Sequence, residues 1–361
     1  ETQDDTAAEH QAESDDDEAY LNTVGMEPRR VHTGSIIPLI TDNEDVSLTS
    51  LALDDYQVNE LAEYIRDHDD MQTLMLRNDN IDDTKMFKLA EAIKESPSTF
   101  RMLNLNCNNI GANGAKSVVE IFKDKPTIKM LLLHGNPLGC EGVRNIVNGL
   151  KDISSGTNDV TRDNENRNMG SARTIETVAS DLVSDAMSNA IRSESPILMD
   201  RDEILSPRNK IAQIQLKLNR LDLGDTKIDD EAISDIQRLL EFDFLKITTL
   251  NLSGNRKVTH DGWSQLAETL KNHKTVHTLS LDYNRLGDKG ADIIGGLLAT
   301  NNKLRCVDLE GNNMSDEGGN AILQGVKKNS GTLLDITLTP GNKINENLID
   351  EIREAVRDKS N

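Results

Sequence analysis

The sequence predicts an α/β solenoid: a right-handed open stack, or horseshoe, with parallel strands on its concave face and helices on its convex face. Three observations predict it. A pattern of apolar, two residues, apolar, one residue, apolar, two residues and asparagine recurs, as in Phe100-Leu103-Leu105-Asn108 and Ile247-Leu250-Leu252-Asn255. Its third apolar position falls at residues 76, 105, 133, 223, 252, 281, 309 and 338, in steps of 28 or 29 apart from one of 90. After each asparagine comes a stretch with apolar residues three and four apart. A fixed period of this length marks stacked units, none of which can bury its apolar face alone.

Each element of the unit follows from local rules. The alternating apolar residues make a short strand whose side chains point into a core. The asparagine ends it, because its amide can hold backbone groups while the chain turns away. An apolar residue follows two places later (Ile110, Leu138, Ile228, Leu286, Met314). A helix comes next, with stripes such as Val118-Phe122, Val143-Ile146-Leu150 and Ile294-Leu298. Its first turn holds glycine and a small residue (Gly114-Ala115, Gly290-Ala291, Gly318-Gly319), which lets neighbouring helices approach. Trp263 takes the slot of Ala115 and Ala291 and reads as a filler between helices rather than a binding hot spot.

Further clear copies of the pattern start at Ile128, Val276 and Leu304, weaker ones at Met71, Leu218 and Leu333, and a half-repeat at Leu48. The chain therefore divides into an acidic segment (1–47), repeats (48–150), an insert (151–213), and repeats with a C-terminal cap (214–361). Residues 1–45 carry thirteen acidic groups against two arginines, including Asp15-Asp16-Asp17-Glu18, and are expected to be largely disordered. Within them Ile36-Ile37-Pro38-Leu39-Ile40 is an apolar patch placed to cover the first repeat. The step of 90 equals one repeat plus about 62 residues, a length that inside a compact domain points to function or disorder.

A strand-plus-helix unit of 28 to 29 residues resembles the ribonuclease-inhibitor subclass of leucine-rich repeats. The resemblance covers residues 48–150 and 214–361. It implies a protein-binding scaffold, since Ran GTPase-activating proteins and many axonemal and innate-immune proteins share it. Two functions follow as expectations. One is a non-enzymatic adaptor or a structural part of a ciliary or axonemal cytoskeletal assembly. The alternative is a GTPase activator of the Ran-activating type. Members of that type commonly carry an acidic C-terminal tail, whereas the acidic segment here is N-terminal.

Composition narrows the partners. The formal charge is −22 and aromatic residues make up 3%, which excludes a basic nucleic-acid reader and favours a basic protein partner or a self-repelling soluble surface. No apolar run approaches the roughly 18 residues of a membrane span. The start shows no secretory signal, and Glu1 in place of methionine reads as processing or truncation upstream. Cys107, Cys140 and Cys306 are scattered and odd in number, which gives neither a disulfide framework nor a zinc set and suits a reducing cytoplasm. The sequence holds no His-Glu-x-x-His, Walker loop, nucleophile elbow or dinucleotide fingerprint, so no enzyme, cofactor or metal is expected. His134 and Cys107 lie near strand ends with no base or orienting carboxylate in the local sequence, and His134 is expected at the surface.

Two sets of candidate partner-binding residues remain. In the insert, Val178-Ala179, Leu182-Val183, Ala186-Met187 and Ala190-Ile191 recur every fourth position with polar residues between them. On a helix over 174–194 they draw one apolar stripe, with Thr174 as N-cap and Pro196 as stop. The stripe resembles the helix by which A-kinase anchoring proteins bind the dimerisation-docking domain of a type II regulatory subunit. It equally fits a helix folded back on its own solenoid. The second set points outward from the strands: Met75, Met102, Met130 and Leu132 (with His134) in the first half, then Asp222, Asp282, Asp308, Glu310 and Asp335. The concave face is thus expected to change from methionine-rich to acidic, from adaptable apolar contacts to contacts with Lys/Arg-rich segments.

Overall fold

The computed structural model describes residues 32–155 and 214–360. Nine three-residue strands form one parallel sheet in chain order: β1 Asp45–Ser47, β2 Thr73–Met75, β3 Met102–Asn104, β4 Met130–Leu132, β5 Arg220–Asp222, β6 Thr249–Asn251, β7 Thr278–Ser280, β8 Cys306–Asp308 and β9 Asp335–Thr337. Each is followed by a helix: α1 Asp55–Asp67, α2 Asp83–Glu95, α3 Ala112–Asp124, α4 Gly139–Ser155, α5 Asp230–Leu240, α6 His260–Lys271, α7 Gly287–Thr300, α8 Asp316–Lys328 and α9 Glu346–Ser360. The sheet is open, and successive helices pack on one another along the stack. This is the α/β solenoid the periodicity predicts.

Strand β1 falls before the half-repeat placed at Leu48. Val46 is the partner of Leu74 and is fully buried, but Asn43 stands where other repeats carry their first apolar residue, which hid the strand. Ahead of it, Ile36 is fully buried and a 3-10 turn, Ile37–Leu39, lies against α1. The rest of the acidic segment, residues 1–31, lies outside the described residues.

The buried residues form one continuous core from Ile36 to Val356, built from the central strand residue and the inner helix stripe of every repeat. Trp263, 1% exposed, is part of it, as the filler reading expects. The asparagines add a second, polar spine. Asn108 Oδ1 accepts from the backbone N–H groups of Asp79 (2.9 Å) and Ile81 (3.0 Å), while its Nδ2 donates to the carbonyls of Leu76 and Leu105. Asn136, Asn255, Asn284, Asn312 and Asn342 also donate to carbonyls of both their own and the preceding repeat. The amide therefore does more than close a local turn. It ties adjacent repeats where the backbone leaves the strand, satisfying buried groups that would each cost about 1–3 kcal/mol unpaired.

The residue before that asparagine, or before the Asp79 and Thr226 that take its place in two repeats, turns the chain through the left-handed region: Asn78, Cys107, Asp225 and Tyr283 share it with Gly135, Gly254 and Gly311. Glycine reaches this region without strain and the others do so at a cost, so the turn geometry is imposed by the stack rather than by residue choice.

The interruption after α4 does not interrupt the sheet. Leu131 pairs in register with Leu221, across the step of 90 residues. The described chain breaks after Ser155, at the end of α4, and resumes at Ile214, ahead of β5. The candidate insert residues Val178, Ala179, Leu182, Val183, Ala186, Met187, Ala190 and Ile191 lie outside the described residues.

Candidate functional site

The strands present two outward rows. The first positions run Asp45, Thr73, Met102, Met130, Arg220, Thr249, Thr278, Cys306 and Asp335. The third positions run Ser47, Met75, Asn104, Leu132, Asp222, Asn251, Ser280, Asp308 and Thr337 in the same registers. Neighbouring strands lie about 4.8 Å apart, so residues in one row touch or nearly touch. A third row, one residue beyond the core leucine, holds Arg77, Asn106, His134, Gly224, Ser253, Asp282 and Glu310.

This register sorts the sequence candidates. Met102 and Met130 are direct neighbours, while Met75 sits in the other row beside Asn104. Leu132 and Asp222 are partners across β4 and β5, and both are buried. Asp282 and Glu310 occupy one row on successive repeats, with Asp308 beside them and Asp335 on the last strand. Arg77 and Arg220 also project from this face and were missed, although the same repeat arithmetic places them.

His134 departs from the surface position expected of it. Gly224 has no side chain, and a Cβ there would collide with the His134 ring and with Ser253 Oγ. The ring therefore lies along the face over the next repeat, buried, with Nδ1 3.6 Å from Asp222 Oδ1. Asp222 Oδ1 also accepts from the Gly224 N–H at 3.0 Å. The absent side chain at Gly224, a feature of tertiary neighbours, is what buries the histidine.

Electrostatics concentrate at the other end. Burial first, and then the neighbouring Asp308 carboxylate, push Asp282 up to about 7. Burial raises Asp308, with Asp335 adding to it, and burial raises Glu310, with Asp308 adding to it. Asp308 Oδ1 accepts from the Glu310 N–H at 3.1 Å, which orients the carboxylate. Among the described residues no Lys or Arg forms an ion pair with Asp282, Asp308, Glu310 or Asp335. The patch is thus partly desolvated and self-repelling.

A second polar cluster lies on the helix side. Cys140 Sγ and oxygens of Asp229 and Glu231 lie within 4.8 Å of one another. Cys140 donates to Asp229 Oδ1 at 2.9 Å, and Glu231 is engaged by Arg144. Burial and then the Asp229 contact raise the Cys140 thiol, so it is a poor nucleophile. In other repeats an aspartate early in the helix reaches the cap of the next one: Asp83 to Gly111, Asp230 to Thr259, Asp288 to Ser315 and Asp316 to Asn345. Cys140 replaces that aspartate with donor and acceptor exchanged, so the cluster is an inter-repeat tie.

Residues 96–119, 272–294 and 300–323 match the family described as Leucine Rich repeat. The units are leucine-rich repeats. Leucine-rich repeat-containing protein 73 of rat and of human is 35% identical over 128 residues, 35% of this chain and 40% of that protein. A protein phosphatase 1 regulatory subunit 37 homolog of Caenorhabditis briggsae is 25% identical over 119 residues, 32% of this chain and 13% of that protein. The chain thus matches less than half the length of these relatives. Among solved structures, a leucine-rich repeat-containing protein from Legionella pneumophila is 14% identical with a TM-score of 0.43, covering 91% of this chain and 97% of that one. No described helix is long and apolar enough to cross a membrane.

Proposed function

We propose that the protein is a non-enzymatic protein-interaction scaffold whose strand-lined face is the partner site, its acidic end receiving a Lys/Arg-rich segment. One observation carries the reading. Asp282, Asp308, Glu310 and Asp335 converge on neighbouring repeats, and burial together with mutual repulsion raises the first three above ordinary carboxylates. An incoming ammonium or guanidinium group relieves both costs, which makes the surface selective for cationic partners. Met102, Met130 and Leu132 supply an apolar continuation along the same face. Repeat relatives that include a phosphatase regulatory subunit homologue support a role in binding protein rather than in chemistry. Titrating the full chain with a Lys/Arg-rich peptide tests this. Binding should weaken steeply with salt, and binding independent of salt would remove the electrostatic basis.

The finer readings rest on sequence pattern. The 28-to-29-residue step supports assignment to the ribonuclease-inhibitor subclass. The same pattern supports a cytoplasmic scaffold within a ciliary or axonemal cytoskeleton, for which retention in a salt-extracted cytoskeletal fraction is the test. The insert stripe centred on Leu182 and Val183 supports docking of a type II regulatory-subunit dimerisation domain. Leu182→Pro would abolish that docking, and undiminished binding of the isolated docking domain by the variant would sink it.

A further inference from the structure

We propose that the strand-lined face over β3 to β5 binds a segment of a partner protein in which large apolar side chains are flanked by carboxylates. The proposal rests on the reading of this face as the partner surface, but not on its acidic end. Register brings five side chains together here. Met102, Met130 and Arg220 are consecutive partners in the first outward row. Arg101 and Lys129 stand immediately before the two methionines, at the rim. The Lys129 and Met130 N–H groups donate to the Arg101 carbonyl at 2.8 and 3.1 Å. Those of Asn219 and Arg220 donate to the Lys129 carbonyl at 2.9 and 3.0 Å. With strands about 4.8 Å apart, two half-buried methionines are thus bordered by three exposed cations.

The three cations stand out by what they lack. The chain holds 62 Asp and Glu against 40 Lys and Arg, so a basic side chain has acids to spare around it. Arg66, Lys94, Arg144 and Lys327 each hold a glutamate. Among the described residues, no ion pair or side-chain hydrogen bond engages Arg101, Lys129 or Arg220. Of the carboxylates in the outward rows, Asp45 lies two strands from Met102, and Asp222 is turned to His134 and the Gly224 N–H. The cationic border therefore attracts and orients an incoming carboxylate. The methionines between them adapt to an apolar side chain of almost any shape. None of the five residues is aromatic, so the patch offers a nucleobase no stacking platform, which favours protein over nucleic acid. From β7 onward Asp282, Asp308 and Glu310 repel the same segment, so the two ends of the face select opposite chemistry.

Titration of the full chain with a capped, fluorescent peptide in which a leucine pair is flanked by glutamates tests the proposal. Arg101→Glu together with Lys129→Glu should weaken binding at least about tenfold, and Met130→Ala about threefold. Asp308→Lys with Glu310→Lys should not weaken it. Both charge reversals lie outside the core, and unchanged urea midpoints would show that the stack stays folded. Failure of this peptide to bind, or equal binding by the Arg101/Lys129 variant, would overturn the proposal. Equal binding after the leucines are replaced by serines would overturn it too, because charge alone would then suffice. So would tighter binding of a single-stranded oligonucleotide, or a dimer that the Arg101/Lys129 variant dissociates, which would make the occupant a nucleic acid or a second copy. The Lys/Arg-rich peptide reads the acidic end separately. Its failure to bind would remove that reading, while binding of the glutamate–leucine peptide upholds this one.

Discussion

The halves on either side of the insert share a backbone and differ in surface. Strands β1 to β4 and β5 to β9 keep one register and one core pattern, and both halves carry inter-repeat asparagine bonds. Yet the outward rows carry Met75, Met102, Met130 and Leu132 before the insert, and Asp222, Asp282, Asp308, Glu310 and Asp335 after it. The comparison separates two kinds of constraint. Inward positions are dictated by the neighbouring repeats and hardly vary, while most outward positions are freer to answer to what approaches the face. The half with desolvated carboxylates is the half where the face has been shaped for charge.

The most severe test of a shared scaffold is Asn136→Ala. It would strand the Ile110 N–H and remove the donor to the Leu105 and Leu133 carbonyls, all of them buried. A loss of about 3–5 kcal/mol is expected, read as a lowered urea midpoint. Asn312→Ala, in the other half, should cost a similar amount, and a large inequality would break the equivalence of the halves.

Asp282→Asn sharpens the difference. The carboxyl titrates at 3.8 in an ordinary environment and at about 7 in the fold, so the folded state holds the proton more tightly. Its contribution to stability is therefore fully present below pH 4, falls as pH rises toward 7, and is level above that. The asparagine variant should match the wild type near pH 3 and exceed it by about 2–4 kcal/mol at pH 8, by thermal or urea unfolding at each pH. A pH-independent difference would mean that Asp282 titrates in the fold as it does in the unfolded chain.

The smallest effect concerns binding. Reversing Asp308→Lys together with Glu310→Lys should weaken a Lys/Arg-rich peptide at least tenfold, or about 1.4 kcal/mol, by calorimetric titration. Met102→Ala, on the other half, should change the same affinity less than about twofold. Equal losses from both would mean the face acts as one surface rather than two.

Much of this architecture is legible in the residues. Leu105, Leu133 and Asn108 announce strand, core and turn because their spacing meets the same local rules in every copy. Strand β1 was not legible, because Asn43 breaks the pattern that Val46 and Leu48 otherwise continue. The candidate face was legible as a list and not as an arrangement. Met75 and Met102 look equivalent in sequence, yet pairing puts one beside Asn104 and the other beside Met130. His134 looked like an unattended surface histidine, since Asp222 and Gly224 lie some 90 residues further on.

By itself, then, the sequence determined the repeat, its period, the direction of each leucine and the carboxylates among the outward candidates of the second half. These follow from apolar spacing and charge, which act over a few residues. Only the tertiary structure decided that the sheet continues through the interruption, that His134 lies in the space left by Gly224, and that Asp282 holds its proton near neutrality. Those depend on which repeat stacks against which, and on how much water the stacking removes around a carboxylate. Neither can be counted along a chain.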